Sequence, residues 1–509
     1  MDPRRPEAEV VIVEGDRIAA VGERALLEAF PGAAREDLRG RSCLPGFIDA
    51  HNHLCIAALH PVWADLSRVD SPEALERALR GQAAREPEAG WIRGFGWNET
   101  RTGYSPTRAE LDALDLGRPV LLAHYSLHQG VVDSRGLDEL GIGRGTPDPV
   151  GGAIARGPDG APAGLLVERA FGLAHARSLA ATRDPERWAD LVAARARTLL
   201  SDGVTCVHDA ACPPEAEALY RRMAAAGTLP LSVLTLPHPE AILMPPEALR
   251  LEGPRTGEGD ERVRVGPIKV FADGGVAPAL DVRLGGRRLQ LGMRFADLAD
   301  AVERAQRHGF RVAVHAIGNA GVEAALEAFE RAARASPGAD PRFRIEHASL
   351  VTPRQIRRMR ELGAVAVVQP GFLFHMGQAV EKVPFEDATW MAFGDMERAG
   401  VPLAASSDDP CAFHEPLRTS AHGATRITGS GAVLDPQQSV DYLSWLRAWT
   451  AGAAFAGGQE GERGRLLPGL RADLVLLEGA LDPEHPPRVS ETWVAGACAW
   501  RAPGPWPCQ

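Results

Sequence analysis

The feature that most constrains this chain is an alternation that starts near residue 184 and runs to about 407. Short segments that are apolar throughout, at 203–209, 229–236, 264–272, 310–316, 343–348, 364–369 and 402–407, read as strands. Between them lie stretches of helical period at 184–201, 214–226, 294–308, 319–335, 353–362 and 387–399. In the first of these, Trp188, Leu191, Val192, Ala196, Leu199 and Leu200 share one face. Strands without a polar side are buried on both faces, which is the pattern of a parallel sheet covered by helices. A further apolar strand at 45–51 brings the count to eight, the number that closes a β/α barrel. The expected fold class is therefore α/β, a (β/α)8 TIM-like barrel.

The remainder of the chain does not alternate. Residues 57–183 are rich in Gly, Pro and Arg, with apolar pieces at 91–97 and 119–125 and one helix near 71–85. A stretch of this length is too long for a loop, so it reads as a subdomain inserted after the first strand. Residues 8–22 form two short strands around a Glu-Gly-Asp turn, and a lone hairpin needs another sheet. Comparable material occurs only at 472–477 and 491–500, so a small β-sandwich built from both termini is expected. The expected division is 1–43 and 456–509 for the β-domain, 44–56 and 184–455 for the barrel, and 57–183 for the insertion.

Composition narrows the function. A net charge of −11 and a pI near 5.8 oppose a nucleic-acid partner, which needs a concentrated basic surface. No run approaches a membrane span, and residues 1–6 are followed by no apolar secretion core, so a cytoplasmic protein is expected. Seven scattered cysteines form no disulfide framework, in keeping with a reducing compartment.

Polar residues gather where the strands end, which in such barrels is where chemistry occurs. His51 and His53 are two apart at the end of the first strand and can aim both rings at one point, or stand as a plain pair of loop histidines. The strand near 269 carries Lys269 in an apolar run; later strands end in His315, in His347 and in Asp408-Asp409. A buried lysine needs a partner or neutralisation. Either Asp273 pairs with it, or its amine has taken up carbon dioxide to become a carbamate that bridges metal ions. Jointly, four histidines, a lysine and an aspartate at one end of strands 1, 4, 5, 6 and 8 read as a metal site. His128, His208, Gln369 and Asp409 are candidates to orient ligands or substrate. Trp97 in the insertion and Phe372, Phe374, His375, Met376 and Trp390 after the seventh strand form an apolar wall or serve packing.

The motifs Pro-Gly-Phe-Ile-Asp-Ala-His51-Asn-His53, Lys269-Val-Phe-Ala-Asp-Gly, His315-Ala-Ile-Gly-Asn-Ala-Gly, Ile-Glu-His347-Ala, Gln369-Pro, Ser-Ser-Asp408-Asp-Pro and Leu-Pro-Gly-Leu-Arg-Ala-Asp473-Leu-Val occur in that order. Together they resemble the amidohydrolase superfamily, and within it the family 3 branch with YtcJ-like proteins and N-substituted formamide deformylases. Gly94-Phe95-Gly96-Trp97 and His128 followed by Asp133-Ser134 resemble the same branch. The resemblance implies that His51, His53 and Asp408 bind one metal ion and that Lys269, as carbamate, bridges to a second held by His315 and His347. One or two divalent ions, zinc foremost, are expected. Two departures stand out: the strand before the first hairpin is short, so the natural start can lie upstream, and Gly275-Val276-Ala277-Pro278 follows Asp273-Gly274 where the branch usually continues differently.

The implied activity is hydrolysis of a non-peptide C–N bond in an amide, formamide or cyclic amide. Asp408 is the expected general base and then acid, and the substrate is a small molecule with an apolar group; a homodimer is compatible with this reading. The alternatives are decarboxylation, deamination or isomerisation at the same metal site, and a non-catalytic binding protein.

Overall fold

The structure is a computed structural model that describes residues 7–180, 184–239, 249–295, 298–336 and 340–503. The opening residues 1–6 and positions 296–297 of the helix expected from 294 lie outside the described residues.

Two parallel sheets carry the alternating region. In the first, Val263–Val265, Ser232–Pro237, Val204–Cys212 and Phe47–Asn52 lie side by side in that order. In the second, Ile268–Phe271, Val312–Ala316, Arg344–His347, Val365–Val368 and Leu403–Ala405 follow one another in chain order. Apart from Arg264 and Leu403, every residue of these strands is buried, because helices cover them and no strand needs a polar side.

The segment expected as one strand at 264–272 is two. Pro267 has no N–H to give a ladder, and the chain changes sheets there: Gly266 N donates to Thr235 O (2.7 Å) and Ile268 N to Arg311 O (2.8 Å). On the other side, Asp408 N donates to His51 O (2.8 Å) and His53 N to Asp409 O (2.8 Å), fastening the end of Phe47–Asn52 to the turn after Leu403–Ala405.

The helices follow their local signals. Asp184 caps Pro185–Ser201 by accepting from Glu186 N and Arg187 N, and Trp188, Val192, Ala196, Leu199 and Leu200 are buried. Each such large side chain contributes roughly 1.5–3 kcal/mol of burial free energy. Thr352 and Gln355 form a capping box at Pro353–Leu362, and Gly363 ends it at φ +63°. The helix expected over 387–399 begins only at Phe393. Thr389–Trp390 instead pairs with Leu350–Val351, and Met391 sits at φ +49°, which no helix accommodates.

Residues 64–168 contribute a six-stranded sheet ordered Ala64–Asp65, Ile92–Trp97, Val120–His124, Gln129–Val132, Pro162–Glu168 and Gly152–Arg156. It has its own core of Leu66, Leu75, Leu79, Ile92, Leu122 and Trp97, among others. The termini also meet: Ser42–Pro45 pairs with Leu474–Glu478 in an antiparallel sheet that includes Arg488–Val494 and Ala497–Arg501. The hairpin Val10–Glu14 and Arg17–Gly22 joins them through Ile18 N to Leu470 O (2.8 Å). Among the described residues no helix is long and apolar enough to cross a membrane, and six cysteines are free thiols.

Candidate metal centre

The parallel register sets the polar strand ends level. Phe271 lies opposite His315 and Ala316 opposite His347, so the strands carrying Lys269, His315 and His347 finish at one rim. His51 and His53, separated by one residue, reach the same place from the other sheet. The imidazoles form a continuous group: ring centroids are 5.3 Å apart for His53 and His51, 4.9 Å for His51 and His347, and 4.5 Å for His347 and His315. Lys269 Nζ lies 3.3 Å from His51 Nε2, within the group.

Three rings are oriented from behind. His51 Nδ1 meets Glu346 Oε2 at 2.5 Å, His53 Nδ1 meets the Ala210 carbonyl at 2.9 Å, and His347 Nδ1 meets Gln369 Oε1 at 2.9 Å. These oxygens accept, so each ring carries its proton on Nδ1 and keeps a lone pair on Nε2. His53 Nε2 and His51 Nε2 then face Asp408 Oδ1 at 3.1 and 3.5 Å. One ligand atom from each of His51, His53 and Asp408 lies within 4.8 Å of the others. Acceptors pointed at acceptors repel unless a cation stands between them. A divalent ion fits this donor set of two imidazoles and a carboxylate. His315 adds a buried Nε2 without a hydrogen-bond partner, 3.9 Å from Asp273 Oδ1.

The electrostatics agree. Burial holds His347 down to about 4 and lowers His51 and His315 well below the ordinary imidazole value, so all three are neutral near pH 7, as ligands must be. Burial alone would raise Asp408, but the imidazoles of His53, His51 and His347 beside it outweigh burial and hold the carboxyl below the usual range. Burial lowers Lys269 to about 8, which leaves a usable fraction of free amine. Asp408 and His347 are also held at φ +59° and +75°. Such left-handed backbone costs about 1–3 kcal/mol at a non-glycine residue and clusters at functional sites.

The other candidates fall in different places. Gln369, whose Nε2 donates to Ser406 Oγ (2.9 Å), orients His347, and the Phe372 ring stacks on His347 at 6.0 Å. His128 comes from the turn before strand Gln129–Val132: its Nδ1 lies 2.6 Å from Glu168 Oε2 and its ring 5.2 Å from that of His315. Asp409 does not face the group; it is ion-paired with Arg195 (Nε–Oδ2 3.1 Å), since the turn sends consecutive aspartates opposite ways. His208 lies within the strand Val204–Cys212, where it is bonded to Gln459 (3.2 Å) and not to the histidine group. Trp97 is part of the six-stranded sheet's own core, and Trp390 packs with Phe385 and Leu350, so neither walls the histidine group. Lys269 is not paired with Asp273, whose oxygens accept from Ile317 N (3.0 Å), Gly318 N (2.8 Å) and Ala279 N (3.0 Å).

Sequence reasoning missed Glu346 and Asp49. Asp49 accepts from Ser407 N (2.9 Å), Ser407 Oγ (2.5 Å) and Asn52 Nδ2 (2.9 Å), pinning the first strand to the Asp408 turn. Both were visible as carboxylates inside apolar strands, the signal that singled out Lys269.

A family model described as "Amidohydrolase family" matches residues 35–499. The chain belongs to the amidohydrolase family. It is 33% identical to the N-substituted formamide deformylase of Arthrobacter pascens, over 94% of this chain and 91% of that protein. It is 28% identical to the putative amidohydrolase YtcJ of Bacillus subtilis, over 93% and 92%. Among solved structures, an uncharacterized metal-dependent hydrolase from Pyrococcus furiosus superposes with a TM-score of 0.70 at 25% identity, covering 93% of this chain and 95% of that one. As an amidohydrolase with parallel strands, the chain fits a hydrolase of small molecules.

Proposed function

We propose that this amidohydrolase cleaves a C–N bond of an amide, formamide or cyclic amide with the help of one or two divalent ions, zinc foremost. In this reading the two parallel sheets close into one eight-stranded barrel, Val263–Val265 and Ile268–Phe271 counting together as its broken fourth strand, with residues 57–183 inserted after its first strand and the termini forming a separate small β-domain. His51, His53 and Asp408 hold one ion. Lys269, as a carbamate, would help His315 and His347 to hold a second ion. The observation that carries the proposal is the convergence of His51, His53 and Asp408, with both imidazoles oriented from behind.

A bound divalent ion supplies Lewis-acid polarisation of a substrate oxygen and makes water acidic enough to attack near neutral pH. The chain supplies the proton handling. Asp408, ionised and 3.1 Å from His53 Nε2, takes the proton of the attacking water and returns it to the departing nitrogen, so that amine leaves as the C–N bond breaks. Phe372, stacked beside His347, offers an apolar surface to a substrate with an alkyl or aryl group. The similarity to a deformylase of N-substituted formamides makes formamides the first compounds to test.

The test is a panel of formamides, acylated amino acids and lactams assayed for released amine. Amine with formate or carboxylate is the expected product pair, and carbon dioxide release would point to decarboxylation instead. Asp408→Asn should retain most metal and lose about 10²–10⁴-fold in kcat. An undiminished kcat would remove Asp408 from the proposed role.

A further inference from the structure

A buried line of polar contacts runs away from the candidate centre to the segment that leads into the C-terminal strands. Glu346 Oε2 lies 2.5 Å from His51 Nδ1, and Arg344 grips the same carboxylate twice, Nε to Oε1 at 2.8 Å and Nη2 to Oε2 at 3.1 Å. Arg344 also donates to the Ala50 carbonyl (2.8 Å), and its Nη1 lies 3.3 Å from His208 Nδ1. His208 Nε2 closes the line on Gln459 Oε1 at 3.2 Å. His51, His208, Arg344 and Glu346 are fully buried, and Gln459 is nearly so.

We infer that Glu346, locked by Arg344, is the positioning residue that makes His51 a strong metal ligand. The inference rests on the metal reading above. A carboxylate behind an imidazole N–H fixes the tautomer, holds the ring plane and raises the basicity of the opposite nitrogen. Arg344 is what lets Glu346 do this. A lone buried carboxylate is costly, whereas a two-point guanidinium contact keeps it charged and fixes its direction. Arg344 is in turn held by the Ala50 carbonyl, one residue before His51, so the arginine ties carboxylate and histidine backbone to one frame. Since Arg344 donates to His208 Nδ1, the His208 proton is on Nε2 and donates to Gln459; every group in the line then has a partner of the correct kind.

The test measures zinc affinity by chelator competition, and the visible spectrum of the cobalt-loaded protein, in wild type, Glu346→Gln, and Arg344→Met combined with Glu346→Gln. The double variant removes both charges and avoids leaving a buried arginine unpaired. Glu217→Gln, which breaks the distant Arg250–Glu217 pair (2.7 Å), controls for general loss of stability. Both Glu346 variants should bind zinc about 10–100-fold more weakly with an altered cobalt spectrum, while Glu217→Gln stays within about twofold of wild type. Long-range proton–nitrogen NMR of the zinc-loaded wild type should show the His51 proton on Nδ1, a reading independent of how any variant folds. Wild-type affinity in the double variant, or a His51 proton on Nε2, would overturn the inference. Absence of zinc binding by wild type would instead overturn the metal reading.

Discussion

Asp273→Asn is a small change with a calculable cost. The Asp273 carboxylate accepts from Ile317 N and Gly318 N, at the start of helix Asn319–Ala335, and from Ala279 N in the loop after the Lys269 strand. Gly321 in the first helical turn packs so closely that an added Cβ would stand 2.5 Å from the Asp273 Cγ. One carboxylate thus anchors a loop and a helix N-terminus immediately after His315. Burial pushes its pKa up to about 8, against three N–H donors and a helix terminus that favour the anion. The three groups within hydrogen-bond distance are all donors, so a proton on Asp273 would have no acceptor at bonding distance, and we take the anion as the working form. An asparagine oxygen can keep the Gly318 and Ala279 bonds, but its NH2 then faces the Ile317 N–H. The loss of one buried hydrogen bond costs about 1–3 kcal/mol and the loss of charge at the helix terminus up to about 2 kcal/mol, together about 1–5 kcal/mol. Denaturant unfolding of the metal-stripped protein measures this directly, and zinc competition should show about tenfold weaker binding because Ile317 is two residues from His315. A loss under about 1 kcal/mol at pH 7, with affinity unchanged, would mean that the carboxyl is already protonated and would refute the reasoning.

Two further outcomes follow from the same geometry. Gly275→Ala should impair activity at least tenfold without removing the metal, because an added Cβ would lie 2.4 Å from the His128 ring, which must then move from beside His315; wild-type kcat/KM would show that the ring is not needed there. Metal-stripped protein should lose stability as the pH falls from 6.5 towards 4. Burial holds His60 and His375 at about 4 and His208 and His238 at about 3, so the unfolded chain takes up protons that the folded chain refuses. Asp49, raised to about 6 by burial, offsets one of them. About three protons net near pH 5 amount to roughly 4 kcal/mol per pH unit from these groups, and denaturant midpoints that stay level between pH 7 and 5 would contradict it.

The parallel strands and most of their helices were legible because burial on both faces leaves an apolar run and burial on one leaves a helical stripe. The break at Gly266-Pro267 was not, since the apolar pattern continues across it and only sheet membership changes. Trp390 was read as part of a helix because its neighbours allow one; a long-range pairing with Leu350 decided otherwise. At the site, His51, His53, Lys269, His315, His347 and Asp408 were recognisable as polar residues at strand ends. Direction was not: Asp408 and Asp409 are identical letters, and only the turn places one at the histidines and the other on Arg195. Glu346 lay in plain view beside His347, but its contact with His51 spans 295 residues and no local pattern encodes it.

The most direct measurement is anomalous diffraction at the zinc edge from crystals of zinc-replete protein grown with bicarbonate. One peak is expected within about 2.0–2.2 Å of His51 Nε2, His53 Nε2 and an Asp408 oxygen. A second is expected between His315 and His347, with density for a carbamate on Lys269 reaching both. Zinc bound elsewhere, or none within coordination distance of His51, His53 and Asp408, would contradict the proposed metal centre.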